Sequence, residues 1–144
     1  MASKTKRPGI SVFFPAFNDA NSIEKLVADA LETLPEMTDE YEVIVVNDGS
    51  RDETAEVLKR LQENHKEVRV VTHETNRGYG AALQSGFRAA REDLVFYTDG
   101  DGQYDARELK KLFPLLTENV DVVNGYKLAR GDKVNRKVIG GLYN

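Results

Sequence analysis

The chain contains no cysteine, which excludes disulfides, thiolate metal sites and cysteine nucleophiles. Histidine is nearly as scarce: His65 and His73 are the only two, too few for a multi-histidine zinc site. Long apolar runs are missing as well. A bilayer span needs about 20 predominantly apolar residues, whereas the longest runs here, such as Val43-Ile44-Val45-Val46, are strand-sized. Lys4, Lys6 and Arg7 lie near the start, but no apolar segment follows that would make a signal peptide. Basic charge is not in excess either. With 20 Lys and Arg against 24 Asp and Glu, the net charge is −4, which argues against a general nucleic-acid binder, whose affinity would come from basic groups facing phosphates. The exception is local: Lys127, Arg130, Lys133, Arg136 and Lys137 crowd together with only Asp132 opposing them. They form either a solvated helix face or an anion-binding segment.

What is present describes one globular domain. The 144 residues are 40% hydrophobic and 31% charged, the balance of an ordinary folded chain. Strand-like runs at 10–14, 41–46, 68–72, 93–98 and 120–124 are rich in β-branched and aromatic residues. Helix-like segments alternate with them. Ile23, Leu26, Val27, Ala30, Leu31 and Leu34 make one amphipathic stripe, with Asn21 as its expected N-cap and Glu24 completing a capping box. Ser50 and Glu53 repeat that spacing before a second helix with inner face Ala55, Leu58 and Leu61. A third helix, 78–91, carries the small residues Ala82, Ser85, Gly86 and Ala89 on one face, and a fourth carries Leu109, Leu112, Phe113 and Leu116. Strands separated by such helices predict βαβ units and a mostly parallel α/β sheet, preceded by a flexible tail over 1–9. Ligands of such sheets bind at the carboxyl ends of the strands, so the residues after each strand are where chemistry is expected.

Those residues are polar, acidic or glycine-rich: Pro15-Ala16-Phe17-Asn18-Asp19, then Asn47-Asp48-Gly49-Ser50-Arg51-Asp52, then 74–80, then Asp99-Gly100-Asp101-Gly102-Gln103. Any one of them could simply cap a helix. The last is distinct, because two carboxylates and an amide within five residues form a hard-oxygen set suited to Mg²⁺ or Mn²⁺. An EF-hand is excluded, since its sixth position would be Tyr104 and its twelfth Lys110. A dinucleotide fingerprint fails at Leu83, where a third glycine is required, and no Gly-Lys-Ser/Thr of a P-loop occurs. A receiver domain would want paired acids after the first strand, where only Asp19 stands.

Taken in order, the four motifs resemble family 2 glycosyltransferases, above all the branch of dolichol-phosphate mannosyltransferase and other polyprenyl-phosphate glycosyltransferases. Pro15-Ala16-Phe17-Asn18-Asp19 corresponds to the family's Pro-x-Tyr-Asn-Glu, Asp99-Gly100-Asp101-Gly102-Gln103 to its Asp-x-Asp-x-Gln, and Asn47-Asp48-Gly49-Ser50 and Asn76-x-Gly78-x-Gly80-Ala81-Ala82 stand between them. The resemblance implies a GT-A fold, a GDP- or UDP-hexose donor, a Mg²⁺ or Mn²⁺ cofactor, and inverting transfer to a polyprenyl phosphate. It places Asp48 on the nucleobase, with Pro15, Ala16, Phe17 and Asp19 lining base and ribose and Gly78 and Ala81 in the donor site. Asp99 falls near ribose and metal, and Asp101 and Gln103 on the metal. Lys127, Arg130 and Arg136 become phosphate-binding groups, with Arg136 the candidate for stabilising the transition state and no catalytic base assigned.

Departures from the pattern leave donor and acceptor identity open. Lys127 stands where the family commonly has an arginine, Asn47 where it often has aspartate, and Asp19 where it often has glutamate. The alternatives are a transferase acting on a saccharide hydroxyl in cell-envelope polysaccharide synthesis, and a non-catalytic nucleotide-binding module. The resemblance also implies a catalytic domain over 10–144 that is cut short before its acceptor site. A fragment of that kind would bind donor yet transfer little sugar and would tend to self-associate. The full-length protein would lie in the cytoplasm at the cytoplasmic face of a membrane.

Overall fold

The structure, a computed structural model, describes residues 6–125. Four strands, β1 (Ile10–Ala16), β2 (Tyr41–Asn47), β3 (Val68–Thr72) and β4 (Leu94–Tyr97), form one parallel sheet in the order β3-β2-β1-β4. The crossovers are α1 (Ala20–Met37), α2 (Thr54–Asn64) and α3 (Tyr79–Ala89). β1 is buried throughout and β2 nearly so. Strands covered on both faces read as continuous apolar runs, not as alternation. β1 and β2 run in register from Ile10↔Tyr41 to Ala16↔Asn47, so their carboxyl ends finish level.

The chain steps from β1 to β2 to β3, then returns to lay β4 on the other side of β1. Right-handed crossovers then put α1 and α2 on one face and α3 on the other. The packing agrees: α1 lies against α2, while Phe13, Ile44 and Val46 cluster with Ala82 of α3. Alternation sends Val12, Phe14, Val43 and Val45 to the opposite face, on the side of α1 and α2. Ile23, Leu34 and Leu58 are almost wholly buried, and each such side chain contributes roughly 1.5–3 kcal/mol. The small-residue face of α3 serves a close approach. A Cβ at Gly86 would collide with the Phe13 ring, which itself stacks on Tyr97 at 5.2 Å and meets Phe87 edge-on at 5.1 Å.

Several local expectations change. The N-cap of α1 is Asp19, not Asn21, and no side-chain bond caps it. α2 begins one turn later than the Ser50 cap predicts. Asp52 accepts from Thr54 N at 2.9 Å, so Thr54 and not Ala55 joins Leu58 and Leu61 on the buried face. The fourth helix is reduced to α4 (Leu109–Leu112) between 3₁₀ turns at Ala106–Glu108 and Phe113–Leu115, because Pro114 has no N–H to continue an α-helical ladder. The fifth strand is not formed among the described residues. An apolar run becomes a strand only by pairing, and 120–124 makes no ladder, with Val122 80% exposed.

The chain divides into two compact units, Met1–Lys110 and Lys111–Asn144; the sheet and α1 to α3 belong to the first. Residues 6–9, within the expected tail, are tied to that unit. Gly9 N donates to Asp93 at 3.0 Å, Thr38 Oγ1 to Pro8 O at 2.8 Å, and Arg7 to Glu36 O at 3.2 Å. No helix among the described residues is long and apolar enough to cross a membrane.

Candidate functional site

The sheet order reverses between β1 and β4, so the crevice at their carboxyl ends is the topological switch point where ligands of such folds bind. After β1 the chain turns at Asn18, which has φ +55°, a left-handed conformation that Asn tolerates better than most residues. The turn is held from the neighbouring loop. Asn18 N donates to Ser50 Oγ at 3.0 Å, Asn18 Oδ1 accepts from Arg51 N at 2.8 Å, and Asp19 N donates to Thr54 Oγ1 at 3.0 Å. Phe17 is left projecting, 44% exposed. The Asp19 carboxylate accepts from Phe17 N at 2.9 Å. Its acidity is nonetheless weakened, first by burial and then by the negative charges of Asp101, Asp52 and Asp99, against the lowering pull of that backbone bond.

At the end of β2, Asp48 is buried, 4% exposed. Burial alone would raise its pKa, but the bonds it accepts win and hold it below the usual carboxylate value. Arg77 N donates to Oδ1 at 2.8 Å and Gly78 N to Oδ2 at 2.9 Å. His73 Nδ1 lies 2.6 Å from Oδ1, and its Nε2 lies 2.8 Å from Ser85 Oγ on α3. Asp48 thus fixes the loop after β3, whose Gly78 has φ +92° and can be only glycine without strain. The positive φ of Gly49 and the close backbone of Thr75 and Asn76 leave no room for a side chain there either.

After β4 the acidic loop is docked on β1. Gly100 N donates to Pro15 O at 3.1 Å, and Ser22 Oγ donates to Gly100 O at 2.8 Å. A Cβ on Gly100 would come within 2.6 Å of Pro15 O, so the loop can approach this closely only as glycine. Asp99 accepts from Tyr79 OH at 2.7 Å, and Asp101 from Gln103 N at 3.0 Å. Burial and the Asp99 carboxylate keep the Tyr79 phenol protonated far above its ordinary range. Among the described residues no salt bridge joins Asp19, Asp99 or Asp101 to a basic side chain. Nor do three acidic or imidazole groups there converge as a ready-made metal cage.

The sequence-predicted residues fall into four groups. Phe17, Asp19, Asp99, Asp101 and Gln103 line the loops at the β1–β4 crevice, with Asp101 and Gln103 exposed and Asp99 half-buried. Asp48, Gly78 and Ala81 gather where β2 meets the start of α3, whereas the side chains of Pro15 and Ala16 are buried in β1, so only their backbone reaches the edge. Lys127, Arg130 and Arg136 lie outside the described residues. Two participants escaped the sequence reading, His73 and Tyr79. A histidine just past a strand end is the only signal His73 offered, because its partners lie 25 and 12 residues away.

The model of Glycosyl transferase family 2 matches residues 11–141. The undecaprenyl-phosphate 4-deoxy-4-formamido-L-arabinose transferase of Photorhabdus laumondii is 32% identical over 137 residues, which is 94% of this chain and 42% of that protein. This chain therefore spans less than half the length of that curated relative. Among solved structures, a mannosyltransferase of Pyrobaculum calidifontis with GDP-Man and Mn²⁺ aligns at TM-score 0.64 and 31% identity, over 74% of this chain and 31% of that one. The glucosyl-3-phosphoglycerate synthase of Mycobacterium tuberculosis, with Mn²⁺, UDP and phosphoglyceric acid, aligns at TM-score 0.62 and 28% identity, over 78% and 40%. Both neighbours are GT-A glycosyltransferases, and the expected fold class holds. With its motifs in order at the strand ends of this sheet, the chain belongs to glycosyl transferase family 2.

Proposed function

We propose that this chain is the donor-binding part of an inverting, metal-dependent glycosyltransferase that moves a hexose from a nucleoside-diphosphate sugar to a polyprenyl phosphate. The observation that carries the reading is the concentration of acids at the switch point with no salt-bridged basic partner among the described residues: burial raises the pKa of Asp19, and the nearby charges of Asp101, Asp52 and Asp99 add to that rise. Charges left uncompensated in this way need a cation. The donor set is all hard oxygen, which fits Mg²⁺ or Mn²⁺, and the two solved neighbours named above were obtained with Mn²⁺.

Asp99, Asp101 and Gln103 would hold the metal. When bound it supplies positive charge to the diphosphate as the sugar departs. Phe17 offers an aromatic face at the crevice for base or ribose, with Asp19 beside it. Asp48 already accepts three bonds, so only its remaining acceptor capacity on Oδ2 is free for a nucleobase donor. Gly78, the N-cap of α3, keeps the approach open because it has no side chain, and Ala81 lies in the first turn, whose N–H groups have no intrahelical acceptor and suit phosphate oxygens. Lys127, Arg130 and Arg136 are proposed as further phosphate contacts, Arg136 for charge developing on the leaving diphosphate.

The relative named above acts, by its name, on undecaprenyl phosphate, which supports a polyprenyl phosphate over a saccharide hydroxyl as acceptor. An acceptor of that kind is already anionic and needs no general base. It is also held in a membrane, and for the whole protein we propose a position at the cytoplasmic face of that membrane. Titration calorimetry with GDP- and UDP-hexoses, with and without Mn²⁺, tests the donor site, and binding that requires the metal is expected. Absence of binding to every nucleotide-sugar, with or without metal, would overturn the reading. Incubation with a short polyprenyl phosphate, scored by glycolipid formation, separates the two acceptor classes.

A further inference from the structure

The buried imidazole of His73 has been given no role in donor binding, yet both of its ring nitrogens are engaged. It is 7% exposed and sits just past the end of β3, where its own N–H donates to Asn47 O at 2.9 Å. Nδ1 lies 2.6 Å from Asp48 Oδ1, and Nε2 lies 2.8 Å from Ser85 Oγ. A carboxylate only accepts, so Nδ1 must carry the proton; in the neutral ring Nε2 then accepts from the Ser85 hydroxyl. No buried side-chain polar atom among the described residues is left unpartnered, so this chain of bonds is closed. It joins three elements: the β2 end through Asp48, the β3 end through His73 itself, and α3 through Ser85.

Asp48 holds Arg77 N and Gly78 N with the same two oxygens. Its carboxylate plane therefore decides both where the glycine turn sits and where its spare lone pair points. Without a third fixed donor, the carboxylate could rotate about its last bond and still keep one backbone partner. With His73 in place it cannot.

We propose that His73 is a positioning residue of the donor site, whose Nδ1–H locks the Asp48 carboxylate so that it holds the 76–78 turn and aims its free lone pair at the donor. The role rests on the nucleotide-sugar reading of the site; the bond to Asp48 does not. No proton moves and no bond to the donor is made by His73 itself.

The test uses the 144-residue chain and the variants His73→Asn, His73→Gln and His73→Ala. An asparagine amide nitrogen takes the place of Nδ1 and can still donate to Asp48, whereas a glutamine amide takes the place of Nε2 and reaches Ser85 instead. In wild type without nucleotide, ¹⁵N NMR should show the Nδ1–H tautomer, and hydrogen exchange should show protected Arg77 and Gly78 amides. That protection should persist in His73→Asn and fall in the other two. Calorimetry with GDP and with UDP, each with Mn²⁺, should show about a tenfold loss of affinity in His73→Gln and His73→Ala, and His73→Asn within about threefold of wild type. An Nε2–H tautomer in wild type, or unchanged Gly78 protection in His73→Ala, overturns the proposal. So does an equal loss of affinity in all three variants that tracks an equal loss of thermal stability, since that would make the histidine a packing residue only. If wild type shows the tautomer and the protection but binds neither nucleotide, the hold of His73 on Asp48 stands and the donor-site reading falls.

Discussion

Replacing Asp48 with asparagine changes one atom and almost no volume, which makes it a sharp probe of the junction between β2 and α3. The carboxylate accepts from Arg77 N, Gly78 N and His73 Nδ1. An asparagine side chain has one acceptor and must turn its NH₂ toward at least one of these donors. The least damaging choice places NH₂ against Gly78 N–H. One bond to a charged acceptor is then lost, at about 1.5–3 kcal/mol, while Gly78 N keeps its other acceptor, Asn76 Oδ1, at 3.1 Å. The other two bonds lose the help of charge, which roughly halves them and costs about 2 kcal/mol more. Relief from no longer burying a charge offsets part of this, and a net destabilisation of about 2 kcal/mol is expected. Urea unfolding at pH 7 should show it as a midpoint lowered by about 1 M for a chain whose m-value is about 2 kcal/mol/M. The pH dependence has a definite sign. The folded pKa of Asp48 lies below its ordinary 3.8, so its contribution is present above that value and lost as pH falls through the folded pKa. The gap between wild type and variant should therefore narrow in acid. Equal midpoints at pH 7 would refute the reasoning, because the three bonds would then carry no net energy.

Asp101→Asn should abolish the Mn²⁺-dependent part of nucleotide-diphosphate binding by calorimetry while leaving the melting temperature within about a degree, since an exposed carboxylate contributes little to stability. Gly86→Ala should destabilise by about 1–3 kcal/mol, because the added methyl meets the immobile, fully buried Phe13 ring; a thermal melt at or above wild type would contradict that packing. Glu42 accepts from Ser11 Oγ at 2.7 Å and Arg91 N at 2.8 Å and pairs with Arg69. Burial works to raise its pKa, but these partners hold it below 4.5. Its stabilisation should fade as pH drops through the folded value, and Glu42→Gln should flatten the melting-temperature profile between about pH 5 and pH 3.

The parts of this fold that could be read in advance were those set by burial. β1 and β2 are covered on both faces, so their composition alone marked them, and the stripe of α1 from Ile23 to Leu34 is the one that is buried. What escaped depends on geometry between distant residues. Asn21 and Asp19 are equally plausible caps on paper; the choice falls to Asp19 because the turn at Asn18 is pinned from Ser50 and Arg51. The run at 120–124 has strand composition but no partner for a ladder among the described residues. The acidic strand ends were legible as chemistry because loops that must stay polar at a carboxyl edge stand out against the core. His73 was not, since its bond to Asp48 exists only once β2 and β3 lie in their observed register.

The hydrogen bonds that zip the β1–α1 turn to the β2–α2 turn have a consequence for anyone altering this site. Asn18, Asp19 and Ala20 take their partners from Ser50, Arg51, Asp52 and Thr54, so neither segment holds its shape alone. Grafting one of them from a relative with a different donor preference would strand the polar backbone of the other, whatever the merit of the new side chains. The two must be exchanged together, as a single cassette of 17–20 and 50–54. By the same logic, naturally diverged relatives should change these two stretches in concert, while 76–80, tethered through Asp48, should vary independently of them.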